Sequence, residues 1–405
     1  MPPSVAHVQP IRRPLSDARD RRTSPSVCFV GLRNLPVLAQ EYAEHGAGGA
    51  EVQQTLLARA LAQRGVRVSM IVGDYGQSDG ASWDGIKTYK ASAPEEGIPL
   101  LRFIHPRWTK LWSALRRADA DIYYASCAGA TLGQVALFTR LQQRKLVFRV
   151  ASDTDCDPDA LLVRYWRDKM LYRYGLQRAD IVLAQTPHQQ QCLARNFGRA
   201  SRVVASLTET TRTAKGFAER DIGALWVGNI RALKRPQLLL QLARSLPEIS
   251  FHMVGGPMKS HEALFTAVRT EAQSVPNVSF HGAVPYHAVG ELFGRARVLV
   301  GTSEIEGFPN TYLQAWARGT PVVAFLDPQQ LLSRNALGHA VTSSRDMQAA
   351  VQTLCTNAHA WEPVSRRCRQ YMEEQPAAAQ MLEPYLQALL SLQPPPPTTT
   401  APLQR

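Results

Sequence analysis

The stretch Ser303-Glu304-Ile305-Glu306-Gly307-Phe308-Pro309-Asn310-Thr311-Tyr312-Leu313-Gln314-Ala315-Trp316-Ala317-Arg318-Gly319-Thr320-Pro321-Val322-Val323 decides the fold. It follows an apolar run, Val298–Gly301. It reads as a strand end, a tight glycine turn, a helix from Asn310 to Arg318 capped by Asn310, a stop at Gly319 and a new strand over Pro321–Phe325. Strand, helix, strand in that order is the βαβ unit of a parallel sheet. The unpaired N–H groups and the positive dipole end at such a helix start suit phosphate oxygens. Glu306 sits in the loop before the helix and Gln314 one turn inside it, where they could face a sugar and a ribose. An ordinary βαβ segment with a surface glutamate explains the same residues equally well.

Working outward, the same half carries Leu225-Trp226-Val227-Gly228, a helix from Pro236 to about Ser245, the strand Phe251–Val254 and the strand Val278–His281. The other half opens on Val27-Cys28-Phe29-Val30-Gly31, a short apolar run closed by glycine, as in a buried parallel strand. A helix from Glu51 to Gly65, with Val52, Leu56, Leu57, Ala60 and Leu61 at helical spacing, leads to a strand over Val66–Val72. Further strands are predicted at Asp121–Tyr124, Leu146–Val150 and Ile181–Ala184. The pattern weakens through Ser201–Arg220, which reads as a connection. Two βαβ-rich halves predict an α/β protein of two doubly wound parallel-sheet domains facing a cleft. The expected division is a disordered basic arm at 1–24, domains at 25–205 and 206–375, a crossing helix at 376–393 and a disordered Pro-rich tail at 394–405.

Composition narrows the function classes. With 405 residues, two cores are expected. Lys and Arg number 46 against 33 Asp and Glu, a net charge of +13 that favours anionic partners: nucleic acid, an acidic membrane leaflet or phosphate-bearing substrates. The six cysteines are scattered, without Cys-x-x-Cys spacing, so neither a structural zinc nor a disulfide framework is expected. The first two dozen residues lack the apolar segment of a secretory signal, and no stretch approaches the roughly 20 apolar residues that cross a bilayer. The expectation is a cytoplasmic protein, soluble or peripheral on the inner face of the membrane.

Three further motifs carry chemistry. In Gly228-Asn229-Ile230-Arg231-Ala232-Leu233-Lys234-Arg235-Pro236, cations between a strand and a helix could grip a diphosphate as it leaves; a solvated basic loop is the plainer reading. In Gly46-Ala47-Gly48-Gly49-Ala50-Glu51, a dinucleotide fingerprint fails because Glu51 occupies the third glycine position and the loop lies well downstream of its strand. In Asp153-Thr154-Asp155-Cys156-Asp157-Pro158-Asp159, Pro158 and Arg164 rule out an EF-hand. That leaves a divalent ion on Asp-x-Asp or a run of helix-capping aspartates.

The 303–323 stretch resembles the signature of glycosyltransferase family 4, retaining enzymes of GT-B fold, S-x-x-E-G-F-x-x-x-x-x-E-A-x-A-x-G-x-P-V-V. The resemblance implies that Glu306 contacts the donor sugar. The family's second glutamate, which bonds the ribose, is Gln314 here; an amide still bonds a diol, without the strength a charge lends. Phe308, Asn310 and Thr311 fall in the donor-binding loop, and Pro309 replaces a frequent glycine. The family's lysine matches Lys234. Its arginine position directly after Gly228 holds Asn229, with Arg231 as the replacement. Gly48 and Gly49 match its G-G-x-E element, and Gly282–Val284 the backbone that lines the base, with Gly282 and Val284 as contacts. The family's frequent active-site histidine is absent, Ala151-Ser152-Asp153 standing in its place, so that Asp153 becomes the candidate for orienting the acceptor.

The resemblance implies a hexosyl transfer from a nucleoside diphosphate sugar to a glycan or polyprenyl-diphosphate-linked acceptor in cell-surface polysaccharide synthesis, with no metal and no further cofactor. It also implies no nucleic-acid partner. Leu100–Arg117, which mixes Phe103, Trp108, Leu111, Trp112 and Leu115 with five cations, reads either as an interfacial helix on anionic lipid or as a helix burying its aromatics. The alternatives to transfer are a GT-B epimerase or phosphorylase, or a noncatalytic basic nucleic-acid-binding or scaffold protein.

Overall fold

The computed structural model describes residues 25–392, apart from 47, 94, 99–100, 209–214, 259–260 and 377. The expected basic arm and Pro-rich tail lie outside the described residues. The first domain contains β1 (Val27–Val30), β2 (Val68–Val72), β3 (Ser82–Trp83), β4 (Ile86–Lys90), β5 (Ile122–Ser126), β6 (Lys145–Arg149), β7 (Ile181–Ala184) and β8 (Arg202–Val203). They form one sheet in the order β3-β4-β2-β1-β5-β6-β7-β8, parallel except for the β3–β4 pair. The second domain contains β9 (Ile222–Val227), β10 (Phe251–Val254), β11 (Val278–Gly282), β12 (Ala296–Gly301), β13 (Val322–Ala324) and β14 (Gly338–Ala340). Their order is β11-β10-β9-β12-β13-β14, all parallel. This is the doubly wound α/β pair that the sequence predicts.

Alternation along the strands builds a core on each face of each sheet. In β1, Cys28 and Val30 face one cluster with Tyr123, Phe148 and Tyr172, while Val27 and Phe29 face another with Leu57, Met70 and Tyr124. Burial pushes the Cys28 thiol up to about 12, so it packs as a neutral apolar group. In both sheets the chain reverses its winding direction between two central strands, β1 and β5 in one, β9 and β12 in the other. The crevice beyond the carboxyl ends of strands at such a reversal is where open α/β sheets hold ligands. The cation turn at 231–234 follows β9, the Glu306 loop follows β12 and the glycine loop at 46–51 lies between β1 and the next helix, while the aspartate run follows β6.

The structure differs from the sequence reading at several places. The strands β3, β4, β8 and β14 were not predicted. β4 alternates polar and apolar residues, and β8 and β14 are two- and three-residue edges with exposed positions. The helix after Gly307 spans only Asn310–Trp316, and Pro309, not Asn310, precedes it as the cap. Leu111 and Leu115 of the Thr109–Ala118 helix are buried, Trp108 stacks on Trp112, and Trp112 stacks on Phe138. In the 100–117 stretch, Leu111, Trp112 and Leu115 therefore pack inward, while Leu101 and Ile104 near its start stay exposed. The helix Ala378–Leu390 packs Met381, Leu382, Tyr385 and Leu389 into the first domain's core, and Tyr385 donates to the Ala205 carbonyl at 2.7 Å.

Candidate active site

A cleft of about 500 Å³ lies between the domains. Its second-domain wall begins at β9. Gly228 ends that strand, and a single helical turn, Ala232–Lys234, carries the cations. Thr302, wholly buried at the end of β12, fixes this turn. Its hydroxyl donates to the Lys234 carbonyl at 2.6 Å and accepts from Trp226 Nε1 at 2.8 Å, while its own carbonyl accepts from Arg235 Nε at 2.8 Å. These bonds direct Lys234 into the cleft, where its ammonium pairs with the Glu306 carboxylate across 72 positions of sequence. Both side chains are only one-fifth exposed, so the pair is partly desolvated and a competing anion would meet a cation already aimed and held. Arg231 also lines the cleft, with no hydrogen-bond or ion-pair partner for its side chain among the described residues. Arg235 does not face the cleft; its guanidinium lies over the Phe325 ring at 4.7 Å.

The donor-loop residues gather beside this pair. Gly228, Val284, Phe308, Asn310, Thr311 and Gln314 all line the cleft. Gly282 stops one residue short of it, and Ala283 takes its place. Gln314 lines the cleft, and its backbone carbonyl accepts from Arg318 Nη1 at 3.2 Å.

The two domains touch through backbone. Asn310 Nδ2 donates to the Gly49 carbonyl at 2.9 Å, and Phe308 N–H donates to Gln185 Oε1 at 3.3 Å. A Cβ on Gly49 would stand 2.8 Å from Asn310 Nδ2, and one on Gly307 would stand 2.5 Å from the Ala151 carbonyl oxygen. Glycine at 307 is thus a condition of the domains meeting, because its neighbour there is backbone, whereas the atom facing Gly49 is the movable end of a side chain. Asn310, expected to cap its own helix, instead spans the domains, and its Oδ1 is buried without a hydrogen-bond partner among the described residues.

On the first-domain wall the aspartate run is sorted by burial. Asp155, not Asp153, lines the cleft. Its Oδ2 accepts from the N–H groups of Ala151 at 2.8 Å and Ser152 at 3.3 Å, yet burial outweighs them and pushes its carboxyl up to about 6. Asp153 is turned aside and accepts from Gln189 Nε2 at 2.9 Å; burial holds it above the ordinary carboxylate range, with Glu306 adding to the shift. The run is a capping box around Ser152 and Asp155. Among the described residues, no three of His, Cys, Asp and Glu come together as a metal-binding group. Sequence reasoning missed Arg33, Arg149, Gln185 and Thr302. Arg33 reaches across to Met258 Sδ at 3.4 Å, and Arg149 is 3% exposed with its Nε unpartnered. Each is a single residue in a loop or at a strand end, with no pattern around it to mark it.

Two family profiles match the two domains in turn. "Glycosyl transferase 4-like domain" matches residues 48–206 and "Glycosyl transferases group 1" matches residues 222–357. The chain belongs to the GT-B glycosyltransferases of family 4 type. Among solved structures, this GT-B protein is similar to sucrose-phosphate synthase from Thermosynechococcus elongatus, with a TM-score of 0.70 and 18% identity, covering 91% of this chain and 100% of that one. It is also similar to HepE of Anabaena in complex with UDP and glucose, with a TM-score of 0.69, 15% identity and the same coverages. Among curated proteins, D-inositol 3-phosphate glycosyltransferase of Mycobacterium sp. strain KMS is 31% identical over 116 residues, 28% of this chain and 26% of that protein. The chain thus spans about a quarter of the length of the curated relatives it matches. Among the described residues, no helix of this GT-B protein is long and apolar enough to cross a membrane.

Proposed function

We propose that the protein moves a sugar, with retention at the anomeric carbon, from a nucleoside diphosphate donor to a lipid-linked glycan acceptor in cell-surface polysaccharide synthesis. The observation that carries this reading is the Lys234–Glu306 pair, aimed into an interdomain cleft beside the unpartnered Arg231. The donor diphosphate takes the place of Glu306 on Lys234 and draws in Arg231, which freshly neutralises the charge that builds as the C1–O bond breaks. Glu306, released, accepts from a sugar hydroxyl, and Asn310 Oδ1 is a second acceptor within the same wall. Gln314 bonds the ribose. The acceptor oxygen attacks C1 from the face the diphosphate leaves, and its proton passes to a departing phosphate oxygen. Positioning and fixed charge supply the acceleration, without a bound metal.

The working place is the cytoplasmic face of a membrane, as a lipid-linked acceptor requires. UDP in complex with the structurally similar HepE makes UDP the first donor base to try. The test is turnover of the Lys234→Ala variant against a panel of UDP, GDP and ADP sugars, with product analysis and with divalent ions added or chelated. A fall of about 10²–10³-fold in kcat with an unchanged melting temperature is expected. Near-normal turnover would sink the assignment, and a free epimerised nucleotide sugar as product would reassign the enzyme.

A further inference from the structure

Seven of the eleven exposed large hydrophobic residues among the described residues fall in two short segments of the first domain: Ile98, Leu101 and Ile104 in one, Leu162, Tyr165, Trp166 and Met170 in the other. The segments are one surface. The Arg167 guanidinium lies 3.5 Å from the centre of the Phe103 ring and 5.8 Å from that of Tyr165, bridging them. Met170 is one helical turn beyond Trp166, on the same face of the helix Trp166–Arg178. Trp166 is 78% exposed, an unusual state for so large a ring in a folded protein. Clustered apolar exposure of this kind marks a contact surface.

Its charge says what the contact is. Arg164, Lys169 and Arg173 interleave with these apolar residues and have no carboxylate partner among the described residues, while Asp168 is paired with Arg167. Aromatic rings with an unneutralised basic fringe are complementary to the headgroup layer of an anionic bilayer, where the rings enter the interface and the cations meet phosphates. Leu162 belongs both to this patch and to the lining of the cleft. A membrane touching the patch would therefore lie at the mouth of the acceptor side. This surface is not the inward-packed aromatic stripe of the Thr109–Ala118 helix.

We propose that the surface built from Leu101, Ile104, Tyr165, Trp166 and Met170, fringed by Arg164, Lys169 and Arg173, docks on an anionic lipid bilayer and sets the cleft over membrane-borne acceptors. The inference rests on the transferase reading for the acceptor, but its test does not need turnover. The full chain is floated with vesicles of equal parts phosphatidylglycerol and phosphatidylcholine, and with phosphatidylcholine alone. Binding is expected only with the anionic vesicles and weakens as salt rises. In the double variant Ile104→Ser with Trp166→Ser, the bound fraction falls by about tenfold or more, since two interfacial anchors are lost. Lys169→Glu with Arg173→Glu lowers binding to anionic vesicles and flattens its salt dependence.

Leu141→Ser, an exposed leucine outside the patch, floats as the wild type. The thermal shift produced by UDP, GDP or ADP stays as in the wild type for all variants, which shows them folded with the cleft intact. Equal flotation of the patch variants and the wild type would overturn the docking surface and leave the transferase standing. A wild-type dimer in light scattering that the Trp166→Ser change dissolves would also overturn it, assigning the face to a second copy. A wild-type protein that binds no nucleotide removes the reading beneath the proposal, and the proposal with it.

Discussion

On the second-domain wall of the cleft, Lys234, Arg231 and Glu306 carry their charges on short loops, partly open to solvent and ready to change partners. On the first-domain wall, Asp155 and Arg149 are 7% and 3% exposed, and glycines 46, 48 and 49 lie beside Arg33 and Glu51 in the lining. The difference separates two tasks. A diphosphate is the same anion in every donor and is best held by fixed cations near a strand end. The first-domain wall must bring backbone within contact of the other domain, and there side chains are excluded by space.

That contrast can be broken or sharpened by substitution. If the charged wall holds the donor, Glu306→Gln should lower turnover by about 10²-fold while leaving nucleotide binding near that of the wild type, because Gln keeps the shape but loses the charge released by Lys234. Isothermal titration beside initial rates checks it; equal losses in both would make Glu306 a structural partner of Lys234. If the first-domain wall works by closeness, Gly307→Ala should cost turnover about tenfold with little change in melting temperature. The added Cβ presses on the Ala151 carbonyl and holds the domains apart without disturbing either core. Small-angle scattering with nucleotide present should then show a more open particle.

A last effect, on stability and not on turnover, concerns Asp155. Its folded carboxyl titrates near 6 against an ordinary 3.8, so the folded protein holds a proton that the unfolded chain has released between those values. Stability attributable to this group is present below the unfolded value and is lost as pH rises toward 6. Asp155→Asn keeps an acceptor for Ala151 and Ser152 and removes the titration. The variant should therefore gain on the wild type by on the order of 2 kcal/mol at pH 8 relative to pH 4. Denaturation at the two pH values measures it; a constant difference would mean Asp155 is hydrated.

What the sequence made legible follows the same division. β1, β7 and β10 showed as apolar runs because a parallel strand is buried on both faces. The cations at 231 and 234 and the glutamate at 306 stand out by their match to the family signature, since spacing alone leaves a solvated loop as the plainer reading. The edges β3, β8 and β14 and the half-exposed β4 beside β3 are illegible, since short or alternating strands lack an apolar run. Asp153 is the candidate in sequence because Ala151-Ser152-Asp153 stand in the place of the family's histidine, and only burial shows that Asp155 lines the cleft instead. The aromatic stripe of Thr109–Ala118 could have faced either way; only packing against Phe138 decided it. The exposed Trp166 was passed over because its neighbours are charged, which in sequence looks like an ordinary solvated helix.

The helix Ala378–Leu390 follows the whole second domain in sequence yet packs into the core of the first. During synthesis, strands β1 to β8 leave the ribosome long before this helix does. The first domain must then wait, with the surface meant for Leu382 and Tyr385 uncovered, while the whole second domain is made. The order of translation and the order of folding are thereby set against each other, and the helix Ala378–Leu390 is the latch that ends the wait.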